Sequence, residues 1–151
     1  MIRRVAVAGG IATFVVLLDV VTKRLASIHF ADDPVVIIPD FLALTYTENP
    51  GAAFSLFQNA GPVLGLAAIA VSIGLLWSLR NDRPLPETVA FGLIIAGASG
   101  NLVDRVFRGS GFLDGKVIDW IDLWWIPTFN IADMSITFAV AVLLIHGWLT
   151  R

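Results

Sequence analysis

The chain has 151 residues, 57% of them hydrophobic and 15% charged, with a formal net charge of −2. Soluble domains carry about 25% charged residues, and so small a fold cannot hide this much apolar surface from water; with a mean hydropathy of +0.82, lipid is the expected solvent. The charge gives no reason to expect nucleic acid, and the lack of cysteine excludes a disulfide framework, a thiolate nucleophile and a cysteine metal site.

The first apolar block, Val5–Val21, is broken only by Asp19. Arg3 and Arg4 before it resemble the start of a cleaved signal peptide, but three further apolar blocks follow, so an uncleaved first helix fits better. A long segment comes next, 22–61. Within it VVII and FLALTYT flank Pro39-Asp40, and Leu42, Leu44 and Tyr46 alternate with Ala43, Thr45 and Thr47. That period of two predicts strands, read here as a small sheet resting on the membrane surface. Pro62–Leu79 and Thr88–Val103 carry no charge and are joined by RNDRPLPE, with two prolines as breakers. After a second long segment, 104–130, the last block is Ile131–Leu149, with Asp133 near its start and His146 near its end. A spanning helix needs about 17–25 residues, and backbone in lipid must satisfy itself internally, so the four blocks are predicted to be helices at about 5–23, 62–79, 86–105 and 130–149. The expected fold is an all-α membrane protein of four transmembrane helices, with a small extracytoplasmic β-sheet between helices 1 and 2, in one domain covering 1–151.

With four spans, both long segments lie on one side and both termini on the other. Lys and Arg divide equally between the sides, but Arg3 and Arg4 flank the first helix, which usually dominates orientation, so the termini are expected in the cytoplasm. Trp120, Trp124 and Trp125 suit one interfacial belt and Trp77 and Trp148 the other; ordinary packing is the alternative.

Ionisable groups at bilayer level are costly and are functional candidates by default. Asp19, Asp104, Arg105 and Asp133 all fall at the outer ends of the helices. Each also has a structural reading. Asp19 and Lys23 are spaced i,i+4 and suit a simple ion pair. Asp104 at a helix C-terminus needs a partner, which Arg105, Lys23 or a polar loop can supply. Asn130 and Asp133 read as an N-cap and capping box, a role compatible with catalysis. Asp119, in KVIDWIDLWW, has apolar neighbours, and desolvation raises a carboxylic acid's pKa; Asp122 is its rival. Asp114, in GSGFLDG, reads as a solvated loop residue. His29 and His146 fall on opposite sides and cannot share a metal. No glycine-rich phosphate loop is present. Paired aspartates remain as a hydrolytic design.

The motifs resemble those of the lipoprotein signal peptidase (signal peptidase II) family over nearly the whole chain. They are DVVTK (Asp19–Lys23), TENPGAAFS (Thr47–Ser55), GASGNLVDR (Gly97–Arg105), VIDW (Val117–Trp120) and FNIAD (Phe129–Asp133), in the family's order. Phe107–Lys116 is longer than in many members, and the stretch between Asp119 and Asp133 is short, a spacing similar to that of actinobacterial members. The resemblance implies an aspartic endopeptidase of the bacterial inner membrane, active near its outer face, that cuts prolipoproteins on the N-terminal side of the lipid-modified cysteine. It implies Asp119 and Asp133 as the catalytic pair, Asn49, Gly51, Asn101, Arg105 and Asn130 as lining the site, and Asp19, Lys23 and Asp104 as supporting it. Lipid-modified prolipoproteins and membrane lipids are the expected partners, with no metal or organic cofactor and a monomeric state.

Asp133 is expected to be the ionised member and to take a proton from water. Asp119, protonated, is expected to donate to the scissile carbonyl and then to the leaving amine. Gly92, Gly97, Ala98 and Gly100 either admit the substrate helix or serve internal helix packing. The alternative function is a small proton-coupled transporter or channel component, which membrane-level Asp and Arg also suit.

Overall fold

A computed structural model describes residues 2–51 and 60–151. The elements run α1 (Ile2–His29), β1 (Val35–Ile38), β2 (Leu42–Asn49), α2 (Gly61–Ser78), α3 (Leu85–Phe107), β3 (Val117–Leu123), β4 (Ile126–Phe129) and α4 (Ile131–Leu149). All four helices are long and apolar enough to cross a membrane. Their outer faces are bare hydrocarbon: Phe14, Val63, Phe138 and Leu144 are among the most exposed side chains. Such a surface suits lipid rather than water.

α3 is the central helix and packs on the other three. Small residues permit this. A Cβ on Gly92 would stand 3.0 Å from the backbone of Ala8 on α1, and one on Gly97 would stand 2.8 Å from Ser135 Oγ on α4. Gly92, Gly97 and Gly100 therefore serve packing within the protein, the second of the two expected roles. On α2, Gly61 and Gly65 receive Leu113, a buried side chain of the loop before β3. That loop is thus folded back onto α2.

α1 runs six residues beyond its expected end at 23, because Lys23 and Ala26 are buried against the rest of the molecule rather than released into solvent. The sheet is also larger than expected. Its four antiparallel strands are ordered β1-β2-β3-β4, so both long segments contribute. The β1–β2 turn closes through Phe41 N–H to Ile38 O at 3.1 Å. Asp40 adopts φ 57° there, a conformation that Asp tolerates better than most residues. The β2–β3 pairing sets Thr47 opposite Asp119 and Asn49 opposite Val117. This draws the end of β2 to the mouths of α3 and α4.

At the opposite end of the bundle Arg4 pairs with Asp82 of the α2–α3 loop, and His146 approaches Glu87 to 4.0 Å. Both termini therefore lie at the end away from the sheet.

Candidate active site

Asp119 sits on β3 and is 3% exposed. Two asparagines hold its carboxylate: Asn130 Nδ2 donates to Oδ1 at 2.6 Å and Asn49 Nδ2 to Oδ2 at 3.1 Å. Burial, and next the negative charge of Asp133, push Asp119 up to about 7. Asp133 stands in the first turn of α4. Its backbone N–H donates to Asn130 Oδ1 at 3.0 Å, and its own Oδ2 accepts the Asn130 N–H at 3.3 Å. This is the expected capping box. Asn101 Nδ2 on α3 donates to the other oxygen of Asp133 at 2.8 Å.

Behind the asparagines lies a buried charge cluster. Lys23 is fully buried and places Nζ 2.7 Å from Asp19, 2.8 Å from Asp104 and 2.9 Å from Asn101 Oδ1. Asp19 accepts the backbone N–H of Ala132 at 2.9 Å, which fixes the start of α4. Asp104 accepts the Ile118 N–H at 3.2 Å, which fixes β3 one residue before Asp119. The cluster thus clamps the two elements that carry the aspartates. Asp19 and Lys23 do form the ion pair that their spacing suggested, but as one edge of this larger assembly.

Arg105 does not pair with Asp104. It donates to the Gly51 carbonyl at 3.1 Å, while Arg108, the C-cap of α3, binds Asp104 at 2.6 Å. Three cations, Lys23, Arg105 and Arg108, therefore stand among four aspartates, Asp19, Asp104, Asp119 and Asp133; close partners are what buried charges require.

A cavity of about 890 Å³ opens onto this arrangement. Its polar wall is Asn49, Gly51, Asn101, Arg105, Asp119 and Asp133; its apolar wall comes from α2, β4 and α4, including Leu64, Val71, Phe129 and Phe138.

Residues 11–149 match the family described as signal peptidase (SPase) II. The chain belongs to this family. The lipoprotein signal peptidase of Mycolicibacterium smegmatis is 42% identical over 144 residues, which are 95% of this chain and 61% of that protein. The chain therefore spans about three fifths of that relative's length. The lipoprotein signal peptidase of Mycobacterium avium is 40% identical over 95% of this chain and 79% of that protein. A structure described as a bacterial membrane enzyme, solved by the in meso method at 2.3 Å, superposes with a TM-score of 0.82 at 34% identity, covering 92% of this chain and 85% of that one. A second, at 1.9 Å, gives 0.78 at 35% identity, covering 92% and 90%.

In this chain, all five residues expected to line the site are hydrogen-bonded to Asp119, to Asp133 or to one another through Gly51; four of them stand in the cavity wall, whereas Asn130 is fully buried and absent from it. The supporting trio Asp19, Lys23 and Asp104 stands directly behind them. Residues 52–55 of the TENPGAAFS motif lie outside the described residues. Asp122 is exposed on β3 and absent from the cavity wall; an odd separation from Asp119 puts it on the other face of the strand. Asp114 is exposed and accepts the Gly111 N–H at 2.9 Å within its own loop. Two contributors went unread in the sequence. Arg108 is i,i+4 from Asp104, a spacing that could have revealed it. The Lys23–Asn101 contact joins residues 78 apart, and nothing local announces it.

Proposed function

We propose that this protein is an aspartic endopeptidase of the bacterial cytoplasmic membrane. It removes the signal peptide from prolipoproteins by hydrolysing the peptide bond on the N-terminal side of the diacylglyceryl-modified cysteine. The observation that carries this reading is a pair of aspartates on different elements, bonded to one asparagine, at the polar end of a large apolar-walled cavity. The signal peptidase II family membership and the lipoprotein signal peptidase relatives support the reaction class and the substrate. One domain spans 1–151 and acts as a monomer, with membrane lipid covering its apolar faces.

The cations support an orientation. At the sheet end, Lys23 and Arg105 are buried inside the protein and so do not count as surface charges. Arg24, Arg108 and Lys116 remain at that end, against Arg3, Arg4, Arg80, Arg83 and Arg151 at the other, none of which is buried. The positive-inside rule then favours cytoplasmic termini and a site at the outer face.

In the mechanism, a water lies between the two carboxyl groups and the scissile carbonyl. Asp133 is the carboxylate; its place at a helix N-terminus and the donors from Asn130 and Asn101 accommodate a negative charge. It takes a proton from the water, whose oxygen attacks the carbonyl carbon. Asp119 gives its proton to the carbonyl oxygen. Asp119 was expected to serve the leaving amine as well, but having given its proton to the carbonyl it has none left, and Asp133 returns the water's proton to the amine. The C–N bond breaks, Asp119 regains a proton from the hydroxyl of the intermediate, and the pair is restored.

The test is a synthetic diacylglyceryl-modified prolipoprotein incubated with purified protein in detergent and analysed by mass. Two products separated just before the modified cysteine are expected. Intact substrate, or cleavage at another bond, contradicts the proposal.

A further inference from the structure

Among the described residues the sheet has two free edges, β1 and β4. Their surroundings differ. β1 exposes all of its residues, whereas every residue of β4 lines the cavity that holds Asp119 and Asp133. A free strand edge presents unpaired backbone groups, a template for another extended chain. β4 is paired to β3 only at Ile126 and Phe129; Pro127 and Thr128, between them, have no register partner. Pro127 has no N–H to give. That leaves Thr128 as the middle residue of the edge that keeps an N–H and has no register partner.

The register aims this edge at the carboxylates. Ile121 pairs with Phe129, so Asp119, two residues back on β3, is level with the point just past Phe129 where the chain leaves the sheet for α4. A strand added beside β4 continues past its end toward Asp119 and Asp133. At about 3.3 Å per residue, that level is roughly three residues from Thr128.

The chemistry requires such a partner. A peptide bond inside a helix is shielded, so hydrolysis needs an unwound segment, and unwound backbone near lipid is tolerated only where its polar groups are paired. Main-chain pairing also supplies affinity that does not depend on side-chain identity.

We infer that β4 is the docking strand for the substrate: the extended segment of the prolipoprotein next to the scissile bond adds to its free edge, pairing with Thr128 about two to four residues from the cut. This rests on the peptidase reading above.

The experiment uses diacylglyceryl-modified peptides spanning the cleavage site, each carrying one N-methylated amide away from the scissile bond, with the unaltered protein in detergent. The expected result is alternation: kcat/KM falls about tenfold or more at every second position on the docked side and changes little in between. Thr128→Pro, which removes the edge N–H, is expected to raise KM about tenfold and flatten the alternation; Thr128→Ala, which keeps the N–H, is expected to preserve the alternation. Uniform tolerance, or equal loss at every position, overturns the docking strand but leaves the peptidase reading intact. Failure to cut the unmethylated peptide overturns both.

Discussion

Asn130 donates to Asp119 Oδ1 at 2.6 Å while its own Oδ1 accepts the Asp133 N–H at 3.0 Å. One fully buried side chain therefore fixes the first aspartate and starts the helix that carries the second. Its Nδ2 also reaches the Ile118 carbonyl and Asn101 Oδ1, each at 3.2 Å. Asn130→Ala is expected to lose both the cap and the carboxylate bond. Thermal melting should register a loss of about 1–3 kcal/mol. Lipopeptide cleavage should fall on the order of 100-fold, because small misplacements of reacting groups are costly.

In the proposed mechanism the proton on Asp119 sets a pH limit. Its folded value is raised to about 7 from an ordinary 3.8, so the protonated form needed for donation is lost as pH rises through about 7. Cleavage rate measured from pH 5 to 9 is expected to decline on that alkaline side. The same shift makes a stability statement. Between about pH 4 and 7 the folded state holds a proton that the unfolded state has released, so stability contributed at low pH is lost as pH rises through that window. Asp119→Asn, which cannot ionise, should melt near the unaltered protein at pH 4 and above it at pH 8.

Lys23 is the only cation within ion-pair distance of both Asp19 and Asp104 among the described residues. Lys23→Met leaves Asp19 buried with no cation and Asp104 with Arg108 alone. Removing one partner from a buried ion pair costs about 3–5 kcal/mol. The variant is expected to melt well below the unaltered protein in detergent, and adding Asp19→Asn should restore part of the loss.

The α3–α4 contact at Gly97 leaves no room for a side chain. An added Cβ would meet Ala132 O and stand 2.8 Å from Ser135 Oγ and 2.5 Å from Ile136 Cγ1. Backbone cannot give way as a flexible side chain can. Gly97→Ala is expected to destabilise by about 1–3 kcal/mol, whereas Ala at Gly74, which has no described residue within 4 Å, should be neutral or slightly stabilising.

Much of this was legible in the chain because hydropathy and punctuation are local. Pro62 and the RNDRPLPE loop mark helix boundaries that the structure places within a residue or two. The four-stranded sheet was half hidden. LALTYT alternates openly, but VIDWIDL is apolar on both faces at its start, with Val117, Ile118 and Asp119 all buried. Its strand character depends on pairing with residues some 70 positions earlier. In the sequence the charge cluster is visible as a convergence of levels, not as a wiring. Which cation serves Asp104 depends on side-chain direction at the end of α3, where Arg105 turns to Gly51 and Arg108 turns back.

The central claim is that Asp119 and Asp133 together perform the hydrolysis. The most direct measurement compares Asp119→Asn, Asp133→Asn and Asp122→Asn with the unaltered protein, following release of the signal peptide from a diacylglyceryl-modified prolipoprotein by mass. The first two are expected to lose activity by on the order of a thousandfold or more while remaining folded in detergent, and Asp122→Asn, exposed on the far face of β3, to cleave normally. Cleavage at an undiminished rate by either of the first two variants would contradict the account.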